Sequence, residues 1–367
     1  MLKFIFQRTM IYWRKQLTLR FTIQKSLLSI LSIKLLGAFI TGLALSFLFA
    51  ACTANNASNT TNVSANNNNQ NQASVVRIGY QKSAIILKSR GLLEKRLQPE
   101  NVSIEWIEFP AGPQLLEAMN VGSIDFGHTG ESPPVFAQAA GAEIAYIAGI
   151  APSPASSAIL VAQNSPIKTV NDLKGKKVAF QKGSSAHYML VQILEKNGLK
   201  YSDIQPIYLP PADARAAFVK GSIDAWSIWD PFYAAAEQSS NARVLIDGTG
   251  INKLGGYYLA SQNFAKTKPQ IIKAMLEEIQ NVETWSDQNR EEVAKTLSPI
   301  LGIDLATMKK STDRRKFGVT PITPELITLQ QRVADKFYEL KLIPKQINVK
   351  EAMLTSEQYA AFSPKIQ

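Results

Sequence analysis

Two stretches of the chain, 99 residues apart, repeat one structural corner. Leu116-Glu117-Ala118-Met119-Asn120-Val121-Gly122-Ser123-Ile124-Asp125 and Ala216-Ala217-Phe218-Val219-Lys220-Gly221-Ser222-Ile223-Asp224 share an apolar helix end, a helix-stopping glycine and a strand that opens Ser-Ile-Asp. A loop and a proline follow each copy, at Pro133 and Pro231. Two copies are too few for a solenoid. They are what two similar α/β lobes in one chain would give. The pattern from Val75 onward agrees, because short β-type runs alternate with helical stretches. Strands are expected at 75–80, 102–109, 124–127, 143–147, 158–162, 177–181 and 256–260. Helices are expected at 84–97, 113–119, 134–140, 182–197, 269–289, 290–301 and 324–340. This order implies parallel sheets covered by helices, with ligands beyond the carboxyl ends of the strands.

The 367 residues suffice for two to three domains, and 46% apolar with 19% charged residues excludes a mainly disordered chain. Of the net charge of +11, seven basic side chains (Lys3, Arg8, Arg14, Lys15, Arg20, Lys25, Lys34) stand in residues 1–51 with no acid, which leaves +4 for the rest. A nucleic-acid partner therefore loses its main electrostatic argument. The apolar run Leu35–Ala51 ends in small residues before Cys52, the single cysteine, as in a secretory signal. Leu48-Phe49-Ala50-Ala51-Cys52 resembles a bacterial lipobox, with Phe49 where an aliphatic residue is usual. Residues 1–51 are thus expected to be a signal peptide and Cys52 to be lipidated. Residues 52–74, rich in Asn, Ser and Thr and uncharged, are expected to be a disordered tether.

Lys177–Gln181 reads as a strand, and Lys182-Gly183-Ser184-Ser185-Ala186-His187 then opens a helix. Free amides and hydroxyls there suit an anion without an arginine; equally, Ser184 or Ser185 could serve only to cap the helix. Neither GxxxxGK[ST] nor GxGxxG occurs, and the G-x-S-x-G elbow of serine hydrolases is missing. Two histidines, His128 and His187, cannot build a histidine-rich metal site. His187 is either a donor to an anion or a polar loop residue. In Asp224–Tyr233 two tryptophans stand three apart, and Trp226 and Trp229 could be core or could wall a ligand pocket.

The segments Arg77–Lys82, Glu108–Gln114, Asn120–Asp125, Val178–Ser185, Pro211–Phe218 and Ala225–Pro231 together resemble the aliphatic-sulfonate-binding proteins of ABC importers. The resemblance spans about residues 75–350. It implies a two-lobed periplasmic-binding-protein fold, with a hinge of two crossing strands and the ligand cleft between the lobes. Lobe one is expected at 75–162 and 261–350, lobe two at 163–260. The implied ligand is a small alkanesulfonate, and the implied partners are an ABC permease with its ATPase. A monomer without cofactor or metal, not an enzyme, is expected in the periplasm or at the outer face of the cytoplasmic membrane, lipid-anchored. Taurine, nitrate, bicarbonate or a thiamine precursor are alternative ligands on this scaffold, and a pyrimidine-forming enzyme is an alternative activity.

A sulfonate spreads one charge over three oxygens, and each neutral donor to it contributes on the order of 1.5 to 3 kcal/mol. The expected head-group ligands are Thr129 and Gly130 from lobe one, Gly183, Ser184 and Ser185 from lobe two, and Gln81 beside them, with His187 nearby. The organic tail is expected against Phe109, Trp226 and Trp229, next to Asp230. Glu131 sits awkwardly beside an anion; it could meet a cationic or hydroxyl-bearing tail, or repel dianions.

Overall fold

Strand pairing divides the chain between two sheets. The structure is a computed structural model that describes residues 74–362; the expected signal peptide, Cys52 and all of the tether except Ser74 lie outside the described residues. The strands are β1 (Ser74–Tyr80), β2 (Val102–Glu108), β3 (Phe126–Thr129), β4 (Ile144–Ile150), β5 (Ser157–Ala162), β6 (Lys177–Phe180), β7 (Gln205–Tyr208), β8 (Ala225–Trp229), β9 (Ala242–Asp247), β10 (Tyr257–Ser261) and β11 (Val319–Thr320). One sheet has the order β11-β4-β10-β3-β1-β2, the other β7-β6-β8-β5-β9. Read from β2 and from β7, the two orders are the same up to the extra β11.

In each sheet the first three strands are parallel, β1 with β2 and β3, β6 with β7 and β8. The fourth is antiparallel and comes from the far side of a crossing: β10 inserts between β3 and β4, and β5 between β8 and β9. This corrects the expected lobe boundaries. Ser157–Ala162 pairs within the second sheet and Tyr257–Ser261 within the first, so each crossing lies one strand earlier than position 162 or 260. Apolar patterning marks both segments as strands, but only hydrogen-bond partners decide which sheet owns them.

The repeated corner is the same in both lobes. Gly122 (φ 73°) and Gly221 (φ 67°) are left-handed and end their helices. Ser123 N–H donates to Ala118 O at 2.8 Å, Ser222 N–H to Ala217 O at 2.9 Å. Asp125 then accepts the Arg77 N–H at 2.9 Å, and Asp224 the Lys177 N–H at 2.8 Å. Each aspartate thus clips the central parallel strand of its sheet, β1 at its middle and β6 at its start, and holds it beside β3 or β8.

The helices differ from expectation mainly where polarity hides them. The stretch 84–97 breaks into Ile86–Ser89 and Leu92–Leu97, because Gly91 adopts φ 59° between them. A helix at Leu305–Arg314 and the strands β7, β9 and β11 were not anticipated. Helices Pro269–Gln288, Arg290–Leu301 and Pro324–Glu339 match the periodicity closely. The apolar cores lie on the faces of the two sheets, around Phe126 and Ile272 in one and around Phe180 and Leu190 in the other. Among the described residues, no helix is long and apolar enough to cross a membrane.

Candidate functional site

The carboxyl ends of the parallel strands in both sheets open on one cleft, with a cavity volume of about 160 Å³. From the first lobe it receives Gln81 after β1, Gly112 at a helix start, and Thr129, Gly130 and Glu131 after β3; from the second it receives Ser184 and Ser185 after β6 and Trp229 and Asp230 after β8. The lobes meet here directly. A Cβ on Gly130 would sit 1.8 Å from Ser185 Oγ, so only glycine lets the serine hydroxyl of one lobe press on the backbone of the other.

Hydrogen-bond partners sort these residues by what remains free for a ligand. Ser184 Oγ donates to Gln181 O at 2.8 Å and accepts from His187 N at 3.4 Å, so it caps helix Ser185–Lys196 and its one hydrogen is already engaged. Thr129 Oγ1 donates to Gly130 O at 2.9 Å, and Gln81 Nε2 to His128 O at 3.0 Å. Ser185 bonds the Glu131 carboxyl, whose other hydroxyl partner is Ser132 at 3.1 Å. Burial pushes Glu131 up to about 7 against these hydroxyl bonds. Asp230 is also pushed up, to about 6, by burial, with Arg314 opposing the shift. It accepts from Ala234 N at 3.0 Å at the start of helix Phe232–Ser239 and lies 3.4 Å from Arg314.

Four expected ligand residues do not line the cleft. Trp226 is fully buried in the core of the second lobe, its ring tilted 44° to that of Phe218 at 6.0 Å. On a strand, residues three apart point to opposite faces, so Trp226 and Trp229 cannot both face the ligand. Phe109 packs under the first sheet beside Leu115 and Tyr146. His187 is fully buried and stacks on Phe180 at 4.6 Å. Its Nδ1 accepts the Gly183 N–H at 3.2 Å, so its proton sits on Nε2 and goes to Tyr201 Oη at 3.1 Å. Gly183 consequently has no amide hydrogen to offer, and its φ of 72° with the Phe136 ring against it serves the loop's shape. Burial lowers His187 to about 3, as expected of a ring kept neutral.

Sequence reasoning missed the rest of the wall. Helices Arg290–Leu301 and Leu305–Arg314 supply Val293, Leu297 and Met308, which with Ile86 and Phe317 make one end of the cleft apolar. Arg315 lines it too, paired to Glu283 at 2.9 Å and hydrogen-bonded to Ser83 O. The run Arg314-Arg315-Lys316 was the available signal. The cleft thus combines polar and basic side chains with one apolar cluster, which suits an amphiphilic anion. Among the described residues, no group of His, Cys, Asp or Glu could hold a metal ion.

Two equivalent sheets with exchanged fourth strands and a cleft between them define a periplasmic-binding-protein fold. The alkanesulfonate-binding protein SsuA from Xanthomonas axonopodis pv. citri, bound to MOPS, superposes with a TM-score of 0.74 and 43% identity, over 77% of this chain and 99% of that one. The periplasmic aliphatic sulphonate binding protein SsuA from Escherichia coli gives 0.70 and 46%, over 77% and 93%. An aliphatic sulfonates-binding protein of Escherichia coli (strain K12) is 49% identical over 280 residues, 75% of this chain and 87% of that protein. Residues 98–286 match the NMT1/THI5-like family. The chain belongs to the NMT1/THI5-like family and, within it, to the aliphatic-sulfonate-binding proteins.

Proposed function

We propose that this protein captures aliphatic sulfonates outside the cytoplasm and delivers them to an ABC permease. One observation carries the reading: the cleft is lined by hydroxyl groups of both lobes and by a cluster of apolar side chains, Ile86, Val293, Leu297, Met308 and Phe317. Identity of 49% to an aliphatic sulfonates-binding protein supports it, as does a neighbour bound to MOPS, itself an alkanesulfonate with a ring on its tail. The head group is read as lying at Gly130 and Ser185, the tail against Trp229 and the apolar cluster. Closure about the crossings near 151–156 and 248–256 then depends on the ligand, because an open form leaves one lobe's contacts unmade. The leader and Cys52 support a lipid anchor at the outer face of the membrane, which partition of the mature protein with membranes would test.

Taurine is the second reading, since Glu131 and Asp230 both face the cleft and an ammonium needs a carboxylate. Asp230 is already paired to Arg314 and burial pushes Glu131 up to about 7, which disfavours the charged carboxylate an ammonium needs and favours sulfonates without an amine. A thermal-shift screen with methanesulfonate, hexanesulfonate, taurine, sulfate, nitrate and bicarbonate decides the matter. A sulfonate at 100 times its Kd stabilises by about 2.7 kcal/mol. Stabilisation by nitrate or bicarbonate alone would overturn the reading.

A further inference from the structure

A sulfonate has three acceptor oxygens and no hydrogen to give, so every group that touches it must donate. Glu131 breaks that rule. It is 1% exposed, lines the cleft within one residue of Gly130, and hydrogen-bonds the same Ser185 whose hydroxyl faces the ligand space. Ser132 Oγ donates to Glu131 Oε1 at 3.1 Å. No cation is among the groups that act on the carboxyl. Ser185 has a single hydroxyl hydrogen, which can serve the carboxyl or the anion but not both. An ionised Glu131 would claim it and turn the oxygen's lone pairs on the ligand, with a second buried negative charge nearby.

We propose that Glu131 is the specificity-determining residue of the head-group subsite: it enters the complex as a neutral carboxylic acid, donates a hydrogen bond from its own O–H to Ser185 Oγ, and so turns the Ser185 hydroxyl hydrogen onto the bound oxyanion. The inference rests on the sulfonate reading above. The proton comes from solvent and no covalent bond to the ligand forms. Each anion bound where Glu131 is ionised in the free protein therefore brings one proton with it.

The groups that face Glu131 do not supply that proton. Tyr188 from helix Ser185–Lys196 and Tyr257 from β10 are both pushed up by burial, Tyr188 to about 12, and stay neutral. From helix Pro324–Glu339 comes the Gln330 amide, which donates to Glu131 O at 2.7 Å and to the buried Tyr146 hydroxyl at 3.1 Å. His128, on β3, is lowered to about 3 by burial and then by Arg315, and is uncharged over the same range. Across the cleft Asp230 is pushed up only to about 6 and is paired to Arg314; Lys82, Arg315 and Lys316 line the same cleft.

The test is calorimetric titration of the full chain with methanesulfonate from about pH 5 to about pH 9, in phosphate and in Tris, whose ionisation heats differ. Sulfonate buffers are avoided because they are ligands in this reading. Near pH 8 the two buffers should report uptake of about one proton per sulfonate, and affinity should fall about tenfold per pH unit above about 7. Glu131→Gln offers a neutral amide donor to Ser185; it should keep the low-pH affinity within a few-fold and lose the high-pH decline, while Asp230→Asn keeps the decline. Sulfonate binding with flat affinity and no proton uptake would overturn the proposal and leave the function standing, and so would an unchanged slope in Glu131→Gln. If that variant fails to fold, wild-type proton uptake alone decides. No sulfonate binding at any pH would overturn the function and this proposal together.

Discussion

At the scale of single residues, the two adjacent serines after β6 divide labour that the sequence could not apportion. Both sit where a helix start can bind an anion or merely be capped. The difference lies in one hydrogen each: Ser184 gives its own to Gln181 O, while Ser185 faces Glu131 and Gly130 across the cleft. Ser184→Ala should therefore cost about 1 kcal/mol of stability as a lost cap, with sulfonate affinity nearly unchanged. Ser185→Ala should weaken sulfonate binding by about 1 to 3 kcal/mol, the range for a donor to a charged group. Calorimetry on the two folded variants checks this, and equal losses of affinity would refute the division. The sequence pointed to loops that line the cleft, since Thr129 ends β3, Gly130 follows it, and Ser185 comes after β6. It also pointed to Trp226, Phe109, His187 and Gly183, which do not line the cleft, because loop proximity does not say where a side chain points or which hydrogens a neighbour has taken.

At the scale of elements, the helices Arg290–Leu301 and Leu305–Arg314 act as a clasp. The first packs on the helix at Ile86–Ser89 in lobe one, and the second on helix Phe232–Ser239 in lobe two. Arg314 reaches Asp230 and Glu237 and lies 3.7 Å over the Tyr233 ring, and Thr307 bonds Gln238. The second helix escaped notice because Lys309, Lys310, Asp313 and Arg314 crowd it and only Thr307, Met308, Ser311 and Thr312 are buried. The amphipathic neighbours at 269–288 and 324–339 were plain from their apolar stripes. Strand β7 was hidden for a related reason: Gln205-Pro206-Ile207-Tyr208 is a short, half-exposed edge strand with a proline. Removing one partner of a buried ion pair leaves the other uncompensated. Arg314→Met should therefore destabilise the protein by on the order of 3 kcal/mol, and adding Asp230→Asn should restore much of that. Denaturant unfolding of the two variants measures it; additive losses would mean that the pair does not act as a unit.

At the scale of the whole molecule, the burial that shapes the cleft also sets how stability responds to pH, and the two kinds of buried group pull in opposite directions. His128 and His187 are lowered from 6.5 to about 3, so the unfolded chain binds protons first and their contribution is lost as pH falls from about 6.5 towards 3. Glu131 is raised from 4.5 to about 7 and Asp230 from 3.8 to about 6, so their contribution is full at low pH and is lost as pH rises through those values. Between about pH 4.5 and 6 the two slopes oppose each other, which gives a broad plateau in stability and a steep fall below about pH 4. Glu131 and Asp230 follow β3 and β8 and line the cleft, whereas His128 stands on β3 and His187 on helix Ser185–Lys196, so the carboxyl arm of the profile reports on the cleft lining. The paired Glu131→Gln and Asp230→Asn variant removes the falling arm and leaves the histidines in place. Its midpoint of unfolding should climb steadily through the range where the natural protein is flat. Thermal melts at closely spaced pH values would show it, and parallel curves for the two proteins would mean that these carboxyls titrate alike in the folded and unfolded chains.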